Sequence, residues 1–143
     1  MPAFSIIVPV YNRPDEVRDL LESLAAQSCK DFELVLVEDG SDIPCEEVAG
    51  CYKDKIDISY YYKTNEGRSA ARNYGLGRAH GDYFVFFDSD CVIPSGYFST
   101  VKDALEKDFT PCYGGPDAAS DDFTDLQKAI NFSMTSFLTT GGI

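Results

Sequence analysis

Short apolar runs alternate along this sequence with segments that are apolar on one side only. Four runs rich in Ile, Val, Leu, Phe and Tyr predict β-strands, at residues 4–10, 32–37, 56–62 and 83–87. Apolar residues at helical spacing predict helices after Pro14, over residues 69–79, after Ser95 and over residues 123–137. Strands alternating with helices are typical of an α/β domain with a mostly parallel sheet flanked by helices, a Rossmann-like arrangement.

Several local features sharpen this picture. The fourth run has almost no polar residue, which predicts a strand covered on both faces. Gly75 and Gly77 weaken the helix predicted over residues 69–79, so we expect them to pack closely against the sheet, and we expect Gly81 to end that helix. Residues 111–113 are predicted to form a short strand before the Gly114-Gly115-Pro116 turn, and residues 117–122 an acidic loop.

Composition narrows the classes of partner. The chain has 143 residues, with 12 Lys and Arg against 24 Asp and Glu, which gives a net charge of −12. We expect no nucleic-acid partner, because a phosphate backbone is held by clustered cations. The five cysteines form no C-x-x-C pair, and no apolar run approaches the length of about 18 residues that a spanning helix needs. A cytoplasmic protein is therefore expected.

Polar residues follow three of the predicted strands. Pro9, Tyr11 and Asn12 belong to the turn after the first strand, Asp39 to the turn after the second, and Asp88-Ser89-Asp90 follows the fourth. Ligands of open parallel sheets bind outside the carboxyl ends of the strands. These three turns therefore predict a binding site at one edge of the sheet.

The Asp88-Ser89-Asp90 triplet suggests a metal site. Two carboxylates at a strand end can share Mg²⁺ or Mn²⁺ while waters and phosphate oxygens of a ligand complete the coordination shell. An isolated D-x-D is more often a turn cap, here before Pro94, so the triplet by itself is a weak signal.

Four motifs occur together in order: Pro-Val-Tyr-Asn after the first strand, Val-Glu-Asp-Gly-Ser after the second, an Asn-x-Gly-x-x-x-Ala-Arg-Asn-x-Gly-Leu segment from Asn65, and Phe-Phe-Asp-Ser-Asp after the fourth strand. Over residues 4–93 this combination resembles the family 2 glycosyltransferases, which have the GT-A nucleotide-sugar fold. The resemblance is looser in the rest of the chain.

The resemblance implies a role for each matched position. Pro9, Tyr11 and Asn12 would wrap the nucleotide base and ribose. Asp39 would accept a hydrogen bond from uracil, and Arg72 would lie near the base and diphosphate. Asp88 would face the ribose and metal-bound waters, and Asp90 would ligate the metal. These roles suit the side chains, because a carboxylate only accepts and a guanidinium only donates.

The function implied is inverting transfer of a sugar from a UDP-sugar to the hydroxyl of a saccharide or lipid-linked acceptor, with Mn²⁺ or Mg²⁺. Glu38 and Cys91 stand where the family often has Asp. The family's later Glu-Asp motif, which carries the catalytic base, has no counterpart here. We therefore expect a C-terminally truncated, nucleotide-sugar-binding part whose acceptor-binding part is missing and whose base lies beyond Ile143.

Three other functions are compatible with parts of this pattern. The main one is a non-catalytic nucleotide-sugar-binding or interaction domain. A sugar nucleotidyltransferase and a phosphate-receiving signalling module are disfavoured by Tyr11 and Asn12, where a phosphate loop or an acidic pair would be needed.

The resemblance and the final helix also suggest an assembly. We expect the full-length protein to associate with the inner face of the membrane. The apolar stripe of the last predicted helix suggests a homodimer; it comprises Phe123, Leu126, Ile130, Met134 and Phe137.

Two further features are expected to have structural roles only. His80 is expected to cap a helix end, and Tyr60, Tyr61 and Tyr62 are expected to pack within a strand.

Overall fold

The computed structural model describes residues 1–114 and 124–135. The elements in chain order are β1 (Phe4–Val10), α1 (Pro14–Ala25), β2 (Phe32–Asp39), α2 (Glu46–Gly50), β3 (Asp57–Lys63), α3 (Arg68–Leu76), β4 (Tyr83–Phe86), α4 (Tyr97–Lys107) and α5 (Asp125–Thr135). The chain divides into two compact units, Met1–Lys107 and Asp108–Ile143.

The first unit is built on a parallel sheet in the order β3-β2-β1-β4. Phe4 in β1 pairs with Phe32 in β2 and with Tyr83 in β4, and all three strand pairings are parallel. The carboxyl ends of these strands therefore meet at one edge of the sheet. This arrangement confirms the predicted α/β fold.

Apolar clusters cover the two faces of the sheet. Every residue of β1 and β2 is buried, as expected for central strands. On one face the alternate residues Ile6 and Val8 join a core with α1 and with Phe98 of α4. On the other face Ile7 packs with Val35, Val37 and Ala71 of α3.

Helix α1 forms where the sequence predicts it. Pro14 occupies the first turn with Asp15 and Glu16, whose charges complement the amino end of the helix. The apolar stripe predicted from helical spacing comprises Val17, Leu20, Leu21, Leu24 and Ala25; the first four are fully buried and Ala25 is partly buried.

Strand β4 differs from its prediction. Val85 is buried, but Phe84 and Phe86 are 46% and 48% exposed. In the described part of the chain β4 is an edge strand, and one of its faces is open. The expectation that both faces are covered is therefore wrong, because an apolar sequence alone does not distinguish an edge strand from a central one.

The glycines around α3 have different roles. A Cβ at Gly75 would lie 2.7 Å from Ile7 Cγ2, which confirms the predicted close packing against the sheet. Gly77 makes no such approach, and it caps the helix, which ends at Leu76. Gly81 is therefore not the end of the helix; a Cβ there would lie 2.7 Å from the backbone of Phe4.

His80 does not cap a helix either. Its backbone N–H donates to Glu33 Oε1 at 2.5 Å, and its Nδ1 lies 3.3 Å from Glu33 Oε2. Ser5 Oγ donates to the same Glu33 oxygen at 2.5 Å. Burial opposes ionisation of Glu33, but these hydrogen bonds outweigh it and hold its pKa below the usual range. The partner of His80 is thus a carboxylate at the amino ends of the strands.

Other differences are local. Residues 111–113 form no strand, and the short helix α2 was not predicted. The last predicted helix is present as α5, on which Leu126, Ile130 and Phe132 are exposed. Gly115, Pro116, the acidic loop at 117–122, Phe123 and Phe137 lie outside the described residues. Among the described helices, none is long and apolar enough to cross a membrane.

Candidate functional site

A cleft of about 240 Å³ opens at the carboxyl edge of the sheet. Its lining comes from the end of β1 and the turn after it, the end of β2, the start of α3 and the segment after β4: Pro9, Val10, Tyr11, Arg13, Asp39, Arg68, Asp88, Ser89 and Asp90. The structure thus brings together five of the sequence-predicted site residues: Pro9, Tyr11, Asp39, Asp88 and Asp90. Asn12 and Arg72 do not line the cleft directly.

Asn12 connects the loops that follow β1 and β2. Its backbone N–H donates to Ser41 Oγ at 2.7 Å, and its Oδ1 accepts from the amides of Asp42 at 2.8 Å and Ile43 at 3.0 Å. Its φ of 53° lies in the left-handed region, which Asn tolerates better than most residues. Asn12 therefore shapes the cleft wall, and a direct contact with a nucleotide stays a prediction.

Asp39 is the most buried acidic residue of the cleft, with a side chain that is 5% exposed. Its Oδ1 accepts from Lys63 Nζ at 2.7 Å and from the Glu66 amide at 3.0 Å. Its Oδ2 accepts from the Gly67 amide at 2.8 Å. Burial acts to raise the pKa of Asp39, but the hydrogen bonds from Lys63 and the two amides outweigh it and hold the pKa low.

Two glycines allow the loop after β3 to approach Asp39. Gly40 has a φ of 75°, and a Cβ there would lie 2.6 Å from the backbone nitrogen of Asn65. Gly67, at the start of α3, has a φ of 93°. Both conformations are accessible to glycine at little cost. The close packing of this loop puts the amides of Glu66 and Gly67 within reach of the carboxylate.

Three arginines surround Asp88 and Asp90. Arg72 Nη2 donates to Asp88 Oδ1 at 2.6 Å, and Arg68 Nη1 lies 3.6 Å from Asp88 Oδ2. Arg13 Nη1 lies 3.4 Å from Asp90 Oδ2. The carboxylates of Asp88 and Asp90 are 46% and 57% exposed, so both are accessible from the cleft. Although Arg72 does not line the cleft, it holds a residue that does.

One buried donor near this cluster lacks a partner. Nε of Arg72 is inaccessible to solvent and makes no hydrogen bond. A buried unpaired donor costs about 1–3 kcal/mol, which is part of the cost of holding Arg72 against Asp88.

The donor set suits a hard cation. Asp88 and Asp90 offer carboxylate oxygens, the ligands that Mg²⁺ and Mn²⁺ prefer. No group of three or more His, Cys, Asp or Glu side chains in the described residues could hold a metal ion without further ligands. A cation bound here would need oxygens from water or from a ligand to complete its shell.

The segment after Asp90 is anchored to the end of α1. Gln27, 4% exposed, donates from Nε2 to the carbonyl oxygens of Ile93 at 3.2 Å and Pro94 at 2.8 Å. The Ile93 amide donates in turn to Ser23 Oγ at 3.0 Å. These bonds fix the chain close behind the acidic triplet.

Sequence reasoning did not identify Arg13, Lys63 or Arg68 as site residues. Arg68 and Arg72 are four residues apart and so share one face of α3, a spacing that is visible in the sequence. Arg13 directly follows the Tyr11-Asn12 pair. Lys63 gives no local signal, because its contact with Asp39 depends on the pairing of β2 with β3.

Known proteins resemble this chain in sequence and in fold. The sequence model of glycosyl transferase family 2 matches residues 5–142. A Haemophilus influenzae protein described as an uncharacterized glycosyltransferase is 40% identical over 109 residues, which cover 75% of this chain and 41% of that protein. A Rickettsia felis protein with the same description is 45% identical over 87 residues, which cover 60% of this chain and 14% of that protein.

Among solved structures, residues 1–349 of S. aureus TarS in complex with UDP-GlcNAc align with a TM-score of 0.72 and 27% identity. The alignment covers 85% of this chain and 39% of that one. The same TarS fragment in complex with UDP is 28% identical. The chain thus spans less than half the length of each of these relatives.

Proposed function

We propose that this chain, which belongs to glycosyl transferase family 2, binds a UDP-sugar together with a divalent cation and serves transfer of the sugar to an acceptor hydroxyl. The observation that carries this proposal is the convergence of Asp39, Asp88 and Asp90 on one cleft at the carboxyl edge of a parallel sheet. The TarS fragment supports the choice of UDP, because structures of it are described as complexes with UDP and with UDP-GlcNAc.

The nucleoside end of the cleft suits a uracil base. Asp39 has an acceptor position left on Oδ2 after its bond from Gly67, and uracil carries a ring N–H that can donate to it. Pro9 and the half-exposed ring of Tyr11 line the same cleft and offer apolar surface to a base or ribose. We therefore place the base beside Asp39 and the first loop.

We place the diphosphate beside Asp88 and Asp90. Asp88 and Asp90 would hold Mn²⁺ or Mg²⁺, and the bound ion would neutralise charge on the departing diphosphate. Arg68 lines the cleft and can donate to phosphate oxygens, and Arg72 holds Asp88 through the 2.6 Å bond from its Nη2. The bound ion and Arg68 would together offset part of the negative charge of the diphosphate.

The acceptor side follows from the family resemblance. We propose a single-displacement, inverting transfer to a saccharide or lipid-linked hydroxyl, which requires a base within hydrogen-bond reach of that hydroxyl. The carboxylates that line the cleft are bound to Lys63, Arg72 or Arg13. We therefore assign the roles of these carboxylates to the donor and assign none of them as the base.

Calorimetric titration of the chain with UDP, in Mn²⁺ and in chelator, tests this proposal. We expect UDP to bind more tightly with Mn²⁺, because phosphate oxygens and Asp90 share the ion. Asp90→Asn should remove most of this difference and leave thermal stability nearly unchanged, since Asp90 is exposed. Asp103→Asn removes the same charge on α4, outside the cleft lining, and should behave like the parent. Equal affinity of the parent chain in chelator and in Mn²⁺ would contradict the metal assignment, and absence of UDP binding would contradict the function.

A further inference from the structure

We propose that Lys63 is a positioning residue for base selection: it fixes the Asp39 carboxylate so that the single acceptor position left for a ligand lies on Oδ2. This inference rests on the proposed function, because it concerns how the same cleft would distinguish uracil from cytosine.

All the hydrogen-bonding capacity of Lys63 is used by protein groups at the end of the sheet. In the parallel pairing of β2 with β3 it lies directly opposite Asp39, and its side chain is only 9% exposed. Its Nζ donates to Asp39 Oδ1 at 2.7 Å and to the Thr64 carbonyl at 2.6 Å, and lies 2.8 Å from Glu66 Oε2. An ammonium group has three protons, so these partners use all of them. Lys63 therefore has no donor left for a ligand. In this it differs from the arginines of the cleft, whose guanidinium groups have five donors each.

The hydrogen bonds to Asp39 leave one open acceptor position. Each carboxylate oxygen accepts about two hydrogen bonds. Lys63 and the Glu66 amide occupy both positions of Oδ1, while the Gly67 amide occupies one position of Oδ2. The orientation of the carboxylate is thus set by donors from β3 and the following loop, and the open position belongs to Oδ2.

A single, ionised acceptor position discriminates between bases. Uracil presents a ring N–H to it, whereas the corresponding ring nitrogen of cytosine is an acceptor and would face the carboxylate lone pair without a hydrogen bond. A site built to accept one hydrogen bond rejects an analogue that lacks the donor, because the buried acceptor is then left unpaired.

The role of Lys63 is to keep Asp39 both oriented and ionised. Without the ammonium group, Oδ1 would lose its charged partner, and burial would raise the pKa of Asp39. A protonated Asp39 can donate to the ring nitrogen of cytosine, so the preference for uracil would weaken as the pH falls. Other charged groups near Asp39 are its chain neighbour Glu38, Glu66 beside Lys63, and the cleft residues Arg13, Arg68, Asp88 and Asp90.

The test compares the binding of UDP with that of CDP by calorimetric titration in Mn²⁺, from about pH 5 to about pH 8. This whole range lies above the unperturbed pKa of an Asp side chain. In the parent chain we expect UDP to bind about tenfold or more tightly than CDP, with a ratio that hardly changes with pH. Lys63→Met should lower that ratio about tenfold, and its UDP affinity should fall further toward the acid end of the range. Lys102→Met, which breaks the ion pair with Asp31 at 2.6 Å outside the cleft lining, should leave the ratio and its pH dependence unchanged.

The outcomes separate this inference from the function. A parent chain that does not bind UDP overturns both. A parent chain that prefers UDP, together with a Lys63→Met variant that keeps the same ratio and the same flat pH profile, overturns the role of Lys63 alone. If Lys63→Met does not fold, the same titrations are made with Lys63→Gln, which keeps a donor for Asp39 Oδ1 but removes the charge, and the UDP to CDP ratio should again fall and become pH-dependent. An unchanged ratio and a flat pH profile in Lys63→Gln would overturn the inference.

Discussion

Two acidic neighbours at the end of β2 serve different purposes. Successive side chains of a strand point to opposite faces, so Glu38 and Asp39 meet different surroundings. Asp39 joins the cleft, whereas Glu38 is completely buried and accepts from the Cys45 amide at 2.8 Å, Tyr60 Oη at 3.2 Å and Ser41 Oγ. Burial and the nearby Glu38 raise the pKa of both Tyr60 and the Cys45 thiol, so both stay protonated. Glu38 therefore holds the loop from Ser41 to Cys45 in place behind the cleft.

We predict that Glu38→Gln destabilises the protein by about 1–3 kcal/mol, the range for leaving buried hydrogen-bonding groups unsatisfied. An amide has one acceptor oxygen. If that oxygen keeps the bonds from the Cys45 amide and Tyr60, the NH₂ group faces Ser41 Oγ, which then loses the acceptor for its own O–H. Urea unfolding followed by circular dichroism measures this loss. Glu47→Gln, on the exposed side of α2, is the control and should change stability by less than about 0.5 kcal/mol. A Glu38→Gln variant as stable as this control would contradict the structural role.

For individual residues, the sequence predicted site positions correctly where a polar side chain directly follows an apolar strand. Asp39, Asp88 and Asp90 could be predicted because they follow apolar strands, and in a parallel sheet such ends converge. Lys63 could not, because a lysine at the end of a strand is usually exposed. Its burial depends on the register that sets it opposite Asp39, and register is a tertiary property.

At the scale of elements, the interiors of strands and long helices were predicted better than their ends. Strand β2 continues two residues further than expected, to Asp39, because its last residues pair with β3. Helix α3 ends at Leu76, earlier than expected, because Gly77 caps it. Helix α2 has five residues, too few to show a helical period in the sequence.

The contact of α3 with the sheet leads to a prediction at Gly75. In Gly75→Ala the new methyl group would lie 2.7 Å from Ile7 Cγ2 and 3.2 Å from Val37 Cγ2, both on buried, β-branched side chains. Overpacking of this kind costs about 1–3 kcal/mol, which outweighs the gain of up to about 1 kcal/mol in helix propensity. We therefore expect a net loss of stability of about 1–2 kcal/mol, measured by urea unfolding.

Gly50 provides the matched control for Gly75. It also lies in a helix, α2, but a Cβ there would contact nothing within 4 Å. Gly50→Ala should leave stability unchanged or raise it by up to about 1 kcal/mol, because alanine has less freedom to lose on folding. Equal effects of the two substitutions would show that α3 can move away from the sheet without cost.

At the scale of the whole molecule, the acidic composition is partly balanced by local contacts in the first unit. Asp31 has a low pKa because of its hydrogen bond from Lys102, and the pKa values of Glu33 and Asp39 are also held low by hydrogen bonds that outweigh burial. Hydrogen bonds also raise the pKa values of two lysines. The largest effect on Lys63 comes from its bond to Asp39, and the largest effect on Lys102 from its bond to Asp31. Each shift makes the free energy of unfolding depend on pH.

We predict that the free energy of unfolding is nearly constant from about pH 5 to about pH 9 and falls outside this window. A carboxylate whose pKa is lower in the folded state stabilises that state above its unfolded pKa of about 4, and this contribution is lost as the pH falls through the folded value. A lysine whose pKa is raised on folding stabilises the folded state below about pH 10.4, and that contribution is lost as the pH rises through the folded value.

Urea unfolding followed by circular dichroism at a series of pH values measures both limits. Asp31→Asn should flatten the acid limb, because it removes one of the responsible carboxylates, and Asp103→Asn, an exposed position on α4, serves as the control. A free energy of unfolding that stays constant down to about pH 3 would show that these ion pairs and hydrogen bonds contribute nothing to the stability of the fold.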